Sequence, residues 1–221
     1  MTSPELFMSD LETKHHDAFR RLVVTGYLPA LAGEGVSIAD LFRWESKQII
    51  EAIEIAALWI ADTDSLDFKM LLAEVAGSQA KHFRSIEECL ALLGLARGSY
   101  DPRQGGYSKL FGFWRSLQTS EERIAAGLWA AGTMAVERLT ALAAICEEQS
   151  QAAMAALCRD TLVVDEQHRV DTGREKLIHL ATAEDSQARS RRAVFRTVEL
   201  FTEIHDTAAI RRAAGLSGRK A

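Results

Sequence analysis

The sequence predicts an all-α fold: a bundle of four long helices with a further helix at each end. Three observations carry that prediction. The 221 residues contain three prolines, Pro4, Pro29 and Pro102, so long stretches are free of the residue that costs about 3 kcal/mol inside a helix. Alanine and leucine, both good helix formers, are abundant. Strand-like alternation is nearly absent, while apolar residues recur at spacings of three and four.

Taken in order, the pattern predicts a first helix over 10–27, closed by turns at Gly26–Pro29 and Gly33–Gly35. Four main helices follow at 38–62, 65–93, 119–148 and 151–180, and a last one at 186–213. Asp40, Asp64 and Ser120 read as helix-starting residues. Ser120 is followed three residues on by Arg123, so its capping box lacks the usual glutamate. The segment from Gly94 to Leu117, with GSYDPRQGG and YSKLFGFWRSL, is a long crossover between the second and third main helices. Such a crossover lets two helix pairs lie antiparallel. The expectation is one domain over 1–221 with its bundle core at 38–180.

Composition excludes more than it identifies. Apolar residues at 48% are ordinary for a globular chain. A net charge of -5 gives no global electrostatic case for nucleic acid. Arg189, Arg191 and Arg192 lie near Glu184, Asp185 and Glu199, which reads as a solvated helix. Cys89, Cys146 and Cys158 form no CxxC pair and read as small core residues. The four tryptophans, Trp44, Trp59, Trp114 and Trp129, read as packing residues, and His15 and His16 as exposed. The N-terminal stretch lacks a signal-peptide profile, and no apolar run is long enough to span a bilayer. A cytoplasmic location, with no membrane span and no nucleic-acid partner, is the expectation.

The chemistry lies in an internal repeat. On the second main helix, Gln79 and His82 share a face with Leu72, Val75, Ala76, Phe83, Ile86 and Leu90. Buried polar groups need partners, because unpaired burial costs about 1–3 kcal/mol. Glu51 lies on the preceding helix among Trp44, Ile55 and Leu58. In the second half, Glu137 lies among Met134, Ala141 and Ile145, and the fourth helix carries VVDEQHRVDTG. Glu51 and Gln79 are separated by 79 − 51 = 28 residues, Glu137 and Glu166 by 166 − 137 = 29. Each helix pair thus offers one glutamate and then two residues at i and i+3, which share a helix face. Carboxylates with imidazole suit a pair of divalent metals in a bundle core.

On these residues the chain resembles the ferritin-like di-iron carboxylate superfamily, and within it the aldehyde-deformylating oxygenases. The resemblance covers about 45–205. It rests on Glu51, QAKHF at 79–83, Glu137, DEQHRVDTGREKL at 165–177 and GYSKLFGFW at 106–114. It implies a ferritin-like four-helix bundle and an oxidoreductase of the oxygenase type. It implies two irons, or manganese, held by Glu51, Gln79, His82, Glu137 and either Glu166 or Asp165 with His168. It also implies an electron donor and a small hydrophobic substrate such as an aldehyde, lying between Ile55, Phe83 and Leu162. A homodimer is a further expectation.

The family pattern has Glu-x-x-His on both the second and fourth helices, and this chain has it on neither. Gln79 stands at the first glutamate position and brings no charge. On the fourth helix two registers compete: Asp165 with His168, or Glu166 with Arg169. Glu166 shares its face with Leu162, Val170, Gly173 and Leu177. Arginine has no lone pair for a metal, so Arg169 would pair with a carboxylate where a cation otherwise sits. The alternative function is therefore a ferritin-like protein without metals, acting as a metal-free enzyme, a ligand-binding protein or a partner subunit.

Overall fold

The computed structural model describes residues 2–24, 36–95 and 100–204. Seven helices run through them, and no strand occurs among the described residues. They are α1 (Pro4–Val24), α2 (Ile38–Asp62), α3 (Leu66–Leu92), α4 (Lys109–Ser116), α5 (Ser120–Glu148), α6 and α7 (Glu184–Ile204). In α6, Ala152–Leu157, the π-helical stretch Cys158–Leu162 and Val163–Leu180 follow without a break. A second π-helical stretch, Ile124–Ala130, lies inside α5.

The first helix begins six residues earlier than expected, and its predicted end at 25–27 and the glycine turns lie outside the described residues. So does the predicted last helix beyond 204. The four main helices match their expected spans closely, but three caps are displaced, by three residues upstream in α2, one downstream in α3 and one upstream in α5. Ser37 caps α2 in a complete capping box with Asp40. Ser65, rather than Asp64, caps α3. Thr119, rather than Ser120, caps α5, and Glu122 completes its box. A hydroxyl just outside the helix can turn back to the exposed N–H groups of the first turn.

The crossover is not all loop. Its second half forms α4, whose cap is Ser108 and whose buried face is Leu110, Phe111 and Trp114. The neighbouring helices α2 and α3 pack along each other, and α5 packs likewise on α6. α1 and α7 lie against the α5/α6 pair. α3 meets the start of α6 at Ala152–Leu157.

Close approach of α5 and α6 depends on Gly173. A Cβ there would lie 3.0 Å from the Trp129 backbone nitrogen and 3.1 Å from Leu128 Cβ. α5, at 29 residues, is long and apolar enough to cross a membrane, against the expectation. However, 67% of its most apolar window is buried inside the fold. Its apolar surface is the centre of the core.

The buried apolar residues form two clusters. One gathers Ile55, Trp59, Leu72, Leu110, Leu128 and Leu177. The other gathers Leu41, Ile49, Ile86, Leu139, Leu142 and Leu162, together with the three cysteines. All four tryptophans are buried. His15 is not exposed as expected: it is fully buried, with its ring 4.0 Å from that of Phe195. His16 is exposed. Arg189 pairs with Glu121, and Arg191 with Asp10.

Candidate functional site

Between the two apolar clusters, α2, α3, α5 and α6 turn polar side chains inward. Glu45, Gln79, His82, Arg138 and Glu166 are all buried, at 8% exposure or less, and Arg169 is nearly so. Six charged or polar groups within a core need internal partners, because water does not supply them.

The partners are ion pairs. On α5, Arg138 donates from Nε and Nη2 to the two oxygens of Glu45 on α2, both at 2.7 Å. This fork-to-fork geometry is the strong form of a guanidinium–carboxylate pair. The Arg138 guanidinium also lies 5.2 Å from the Trp44 ring centroid and 5.6 Å from that of Phe201. On α6, Arg169 pairs with Glu166, three residues before it. The other Glu166 oxygen accepts from the Gln79 amide at 2.5 Å.

His82 joins the same group from α3. Its Nε2 lies 2.8 Å from Asp165 Oδ2, and its Nδ1 lies 3.9 Å from Glu166 Oε1. Ser78 Oγ is 3.4 Å from both His82 Nε2 and Asp165 Oδ2. Serine and aspartate thus meet the same ring nitrogen, which is not the relay of a serine nucleophile, where they face opposite nitrogens.

Room for Arg169 comes from α5. A Cβ on Gly132 would lie 2.8 Å from Val170 Cγ2 and 3.4 Å from Arg169 Nε. A cavity of about 50 Å³ runs alongside these side chains, from Glu45 to Trp59 on α2. A second hollow of about 210 Å³ opens between α3 and α6, lined by Leu71, Val75, Ser78, Asp165, His168 and Thr172 among others. Val75, Gln79, Glu166 and Arg169 line both.

The structure brings together four of the residues singled out by spacing, Gln79, His82, Asp165 and Glu166, with Arg169 beside them. Glu166 is buried, while the Asp165 side chain is 44% exposed. His168 is exposed and borders only the hollow. Glu51 and Glu137 do not line the cavity. Instead Glu51 accepts from the Ser108 backbone N–H at 2.8 Å and from its hydroxyl at 2.5 Å, with Lys47 Nζ 3.6 Å away. Burial pushes the Glu51 carboxyl up, and the Ser108 hydrogen bonds oppose that. Glu51 therefore fastens the start of α4 onto α2. Glu137 is partly buried beside the layer, and its neighbour Arg138 takes the inward place.

Glu45, Gln48 and Arg138 line the cavity without having been singled out. The signal was present: Glu45 lies four residues from both Leu41 and Ile49, and Arg138 four from Met134 and Leu142, all buried.

A metal pair needs anionic oxygens with lone pairs to spare. Here both oxygens of Glu45 face Arg138, and those of Glu166 face Arg169 and Gln79. α5 offers Ala131 and Ala135 to the cavity. Among the described residues, no group of three or more His, Cys, Asp or Glu side chains is arranged to hold a metal ion. The donor set as placed does not fit a di-metal centre. No protein-family model matches the chain, and no curated protein or solved structure matches it.

Proposed function

We propose that the chain is a ferritin-like four-helix bundle whose polar layer works without metals, as a binding site for a small ligand. One observation carries this reading: each buried carboxylate of the layer already has an arginine. The two guanidinium groups balance the two carboxylates one for one, so the pairs are neutral without a metal ion. Removing either cation would leave an uncompensated buried charge, a cost of about 3–5 kcal/mol. The ferritin-like arrangement is supported by the helix pairs α2/α3 and α5/α6 and the crossover between them.

The second reading is an oxidoreductase of the di-iron oxygenase type, with an electron donor and a small hydrophobic substrate. One observation favours it. A metal-bound histidine donates its other ring N–H to a carboxylate, and His82 Nε2 meets Asp165 in that way while Nδ1 faces Glu166.

Exchanging Gln79→Glu together with Arg169→His separates the two. On the metal-free reading, the native chain takes up no stoichiometric Fe(II) under anaerobic titration. The double variant, with a carboxylate and an imidazole restored, gains iron binding. Stoichiometric Fe(II) binding by the native chain, with no gain on exchange, would overturn the proposal.

A further inference from the structure

A hollow of about 210 Å³ separates α3 from α6. Packed helices interdigitate and rarely leave such a gap. Its walls are two facing stripes. On α3, Leu71, Glu74, Val75 and Ser78 recur at steps of three and four residues, and on α6 Asp165, His168, Arg169 and Thr172 do the same. The helices run antiparallel here: Ser78 and His82 meet Asp165 at one end, and the hollow continues toward Leu71 on α3 and Thr172 on α6.

The chemistry is graded along that axis. The end at Ser78 and Asp165 is polar, while Val75 and Leu71 further along α3 give apolar surface. Ser78 and Leu71 are 78 − 71 = 7 residues apart, about 10 Å along the helix. A cavity of about 150 Å³ holds benzene, so about 210 Å³ suits a molecule of about eight heavy atoms.

Charge narrows the class. Three carboxylates, Glu74, Asp165 and Glu166, line the hollow with one guanidinium, Arg169. Arg169 is taken by Glu166. Glu166 is buried, and its Oε2 keeps no aligned hydrogen bond beyond that ion pair. Asp165 uses one oxygen, Oδ2, for both His82 and Ser78. Its side chain is 44% exposed, which leaves Oδ1 open to a further donor. The lining thus has a surplus of acceptors and of negative charge, and a cation that donates hydrogen bonds answers both. That cation is not a metal ion, because among the described residues no three His, Cys, Asp or Glu side chains are arranged to hold one. An ammonium needs only single acceptors and brings three donors.

We propose that this hollow binds a small organic cation: a primary ammonium on an apolar body, about eight heavy atoms in all. The ammonium donates to Asp165 beside Ser78, the apolar body lies on Val75 and Leu71, and the Glu74 carboxylate adds attraction. The proposal deepens the metal-free reading and rests on it, since a metal would claim the oxygens of Asp165 and Glu166.

The test is titration of the full chain with benzylamine at about pH 8, where histidine is ordinarily neutral. Binding is read at the ring of His168, which lines the hollow, with the exposed His16 as internal control. The His168 proton–carbon signals should shift saturably while those of His16 stay in place. By calorimetry, benzyl alcohol, of the same size without the charge, should bind at least about tenfold more weakly. Asp165→Asn should weaken benzylamine about tenfold, as loss of a charge-assisted hydrogen bond does. Glu74→Gln, at an exposed position, should weaken it about twofold to fivefold. No saturable shift would overturn the proposal, as would benzyl alcohol binding equally well or an Asp165→Asn variant that binds unchanged. Iron measured on the same sample keeps the failures apart. Stoichiometric iron refutes the metal-free reading; an iron-free chain that ignores benzylamine refutes the ligand alone.

Discussion

The Glu45–Arg138 pair offers the sharpest mutational prediction. Arg138→Met keeps length and apolar bulk but leaves Glu45, 3% exposed, without its counter-charge. Breaking one side of a buried pair costs about 3–5 kcal/mol. Arg138 also lies over the Trp44 and Phe201 rings, contacts worth about 0.5–2 kcal/mol when desolvated. The expected loss is therefore about 4–6 kcal/mol, a large part of the roughly 5–15 kcal/mol that holds a domain together. For a chain of this size each kcal/mol moves the melting temperature by about 2–4 °C, so the drop should be about 8–24 °C. Urea unfolding followed by circular dichroism measures it. The double change Glu45→Met with Arg138→Met removes both charges and should recover most of the loss. A double variant no more stable than Arg138→Met would refute the reasoning, because packing rather than an orphaned carboxylate would then account for the cost.

Three further predictions come from other parts of the fold. Gly173→Ala should cost about 1–3 kcal/mol by denaturant unfolding, because its methyl would meet α5 backbone that cannot move aside. Burial and then the nearby Arg191 push the His15 pKa down to about 4 from 6.5. The unfolded chain takes up that proton first, so the stability His15 contributes is lost as pH falls from about 6.5 through about 4. His15→Phe should flatten that part of the stability–pH curve, and an unchanged slope would exclude His15 as its source. Glu51 has the opposite sign. Its carboxyl is pushed up by burial, so its contribution is full below the ordinary carboxylate range and is lost as pH rises through its folded pKa. Glu51→Gln should therefore gain on the native chain as pH rises from about 4 toward neutrality, and a relative loss over that window would contradict the assignment.

The helices were legible because sparse proline and three-to-four periodicity are local properties. The caps were displaced because Ser65 and Thr119 each adjoin an equally plausible residue, and geometry alone decides between neighbours. On α3 and α6 the apolar stripe pointed correctly to Gln79, His82 and Glu166, since both helices keep an ordinary turn there. On α5 the choice lay between Glu137 and Arg138, about 100° apart on a helix. The π-helical stretch Ile124–Ala130 adds to the difficulty, because it shifts the phase between the start of the helix and the layer. Glu51 and Gln48, three residues apart, share a broad face of α2. What draws Glu51 away is Ser108, 57 residues on, and no local pattern announces that contact. The two arginine pairs were obscured for a similar reason: a charge on an apolar stripe gains its meaning from its partner, and Glu45 and Arg138 lie 93 residues apart.

Whether the polar layer carries its own counter-charges decides between the metal-free and the di-iron reading. The most direct measurement is elemental analysis of the chain purified from iron-supplemented cells, with melting temperature recorded before and after exhaustive chelation. Arginine-compensated carboxylates predict iron well below one per chain and an unchanged melting temperature. About two irons per chain, with a melting temperature that falls on chelation, would contradict it.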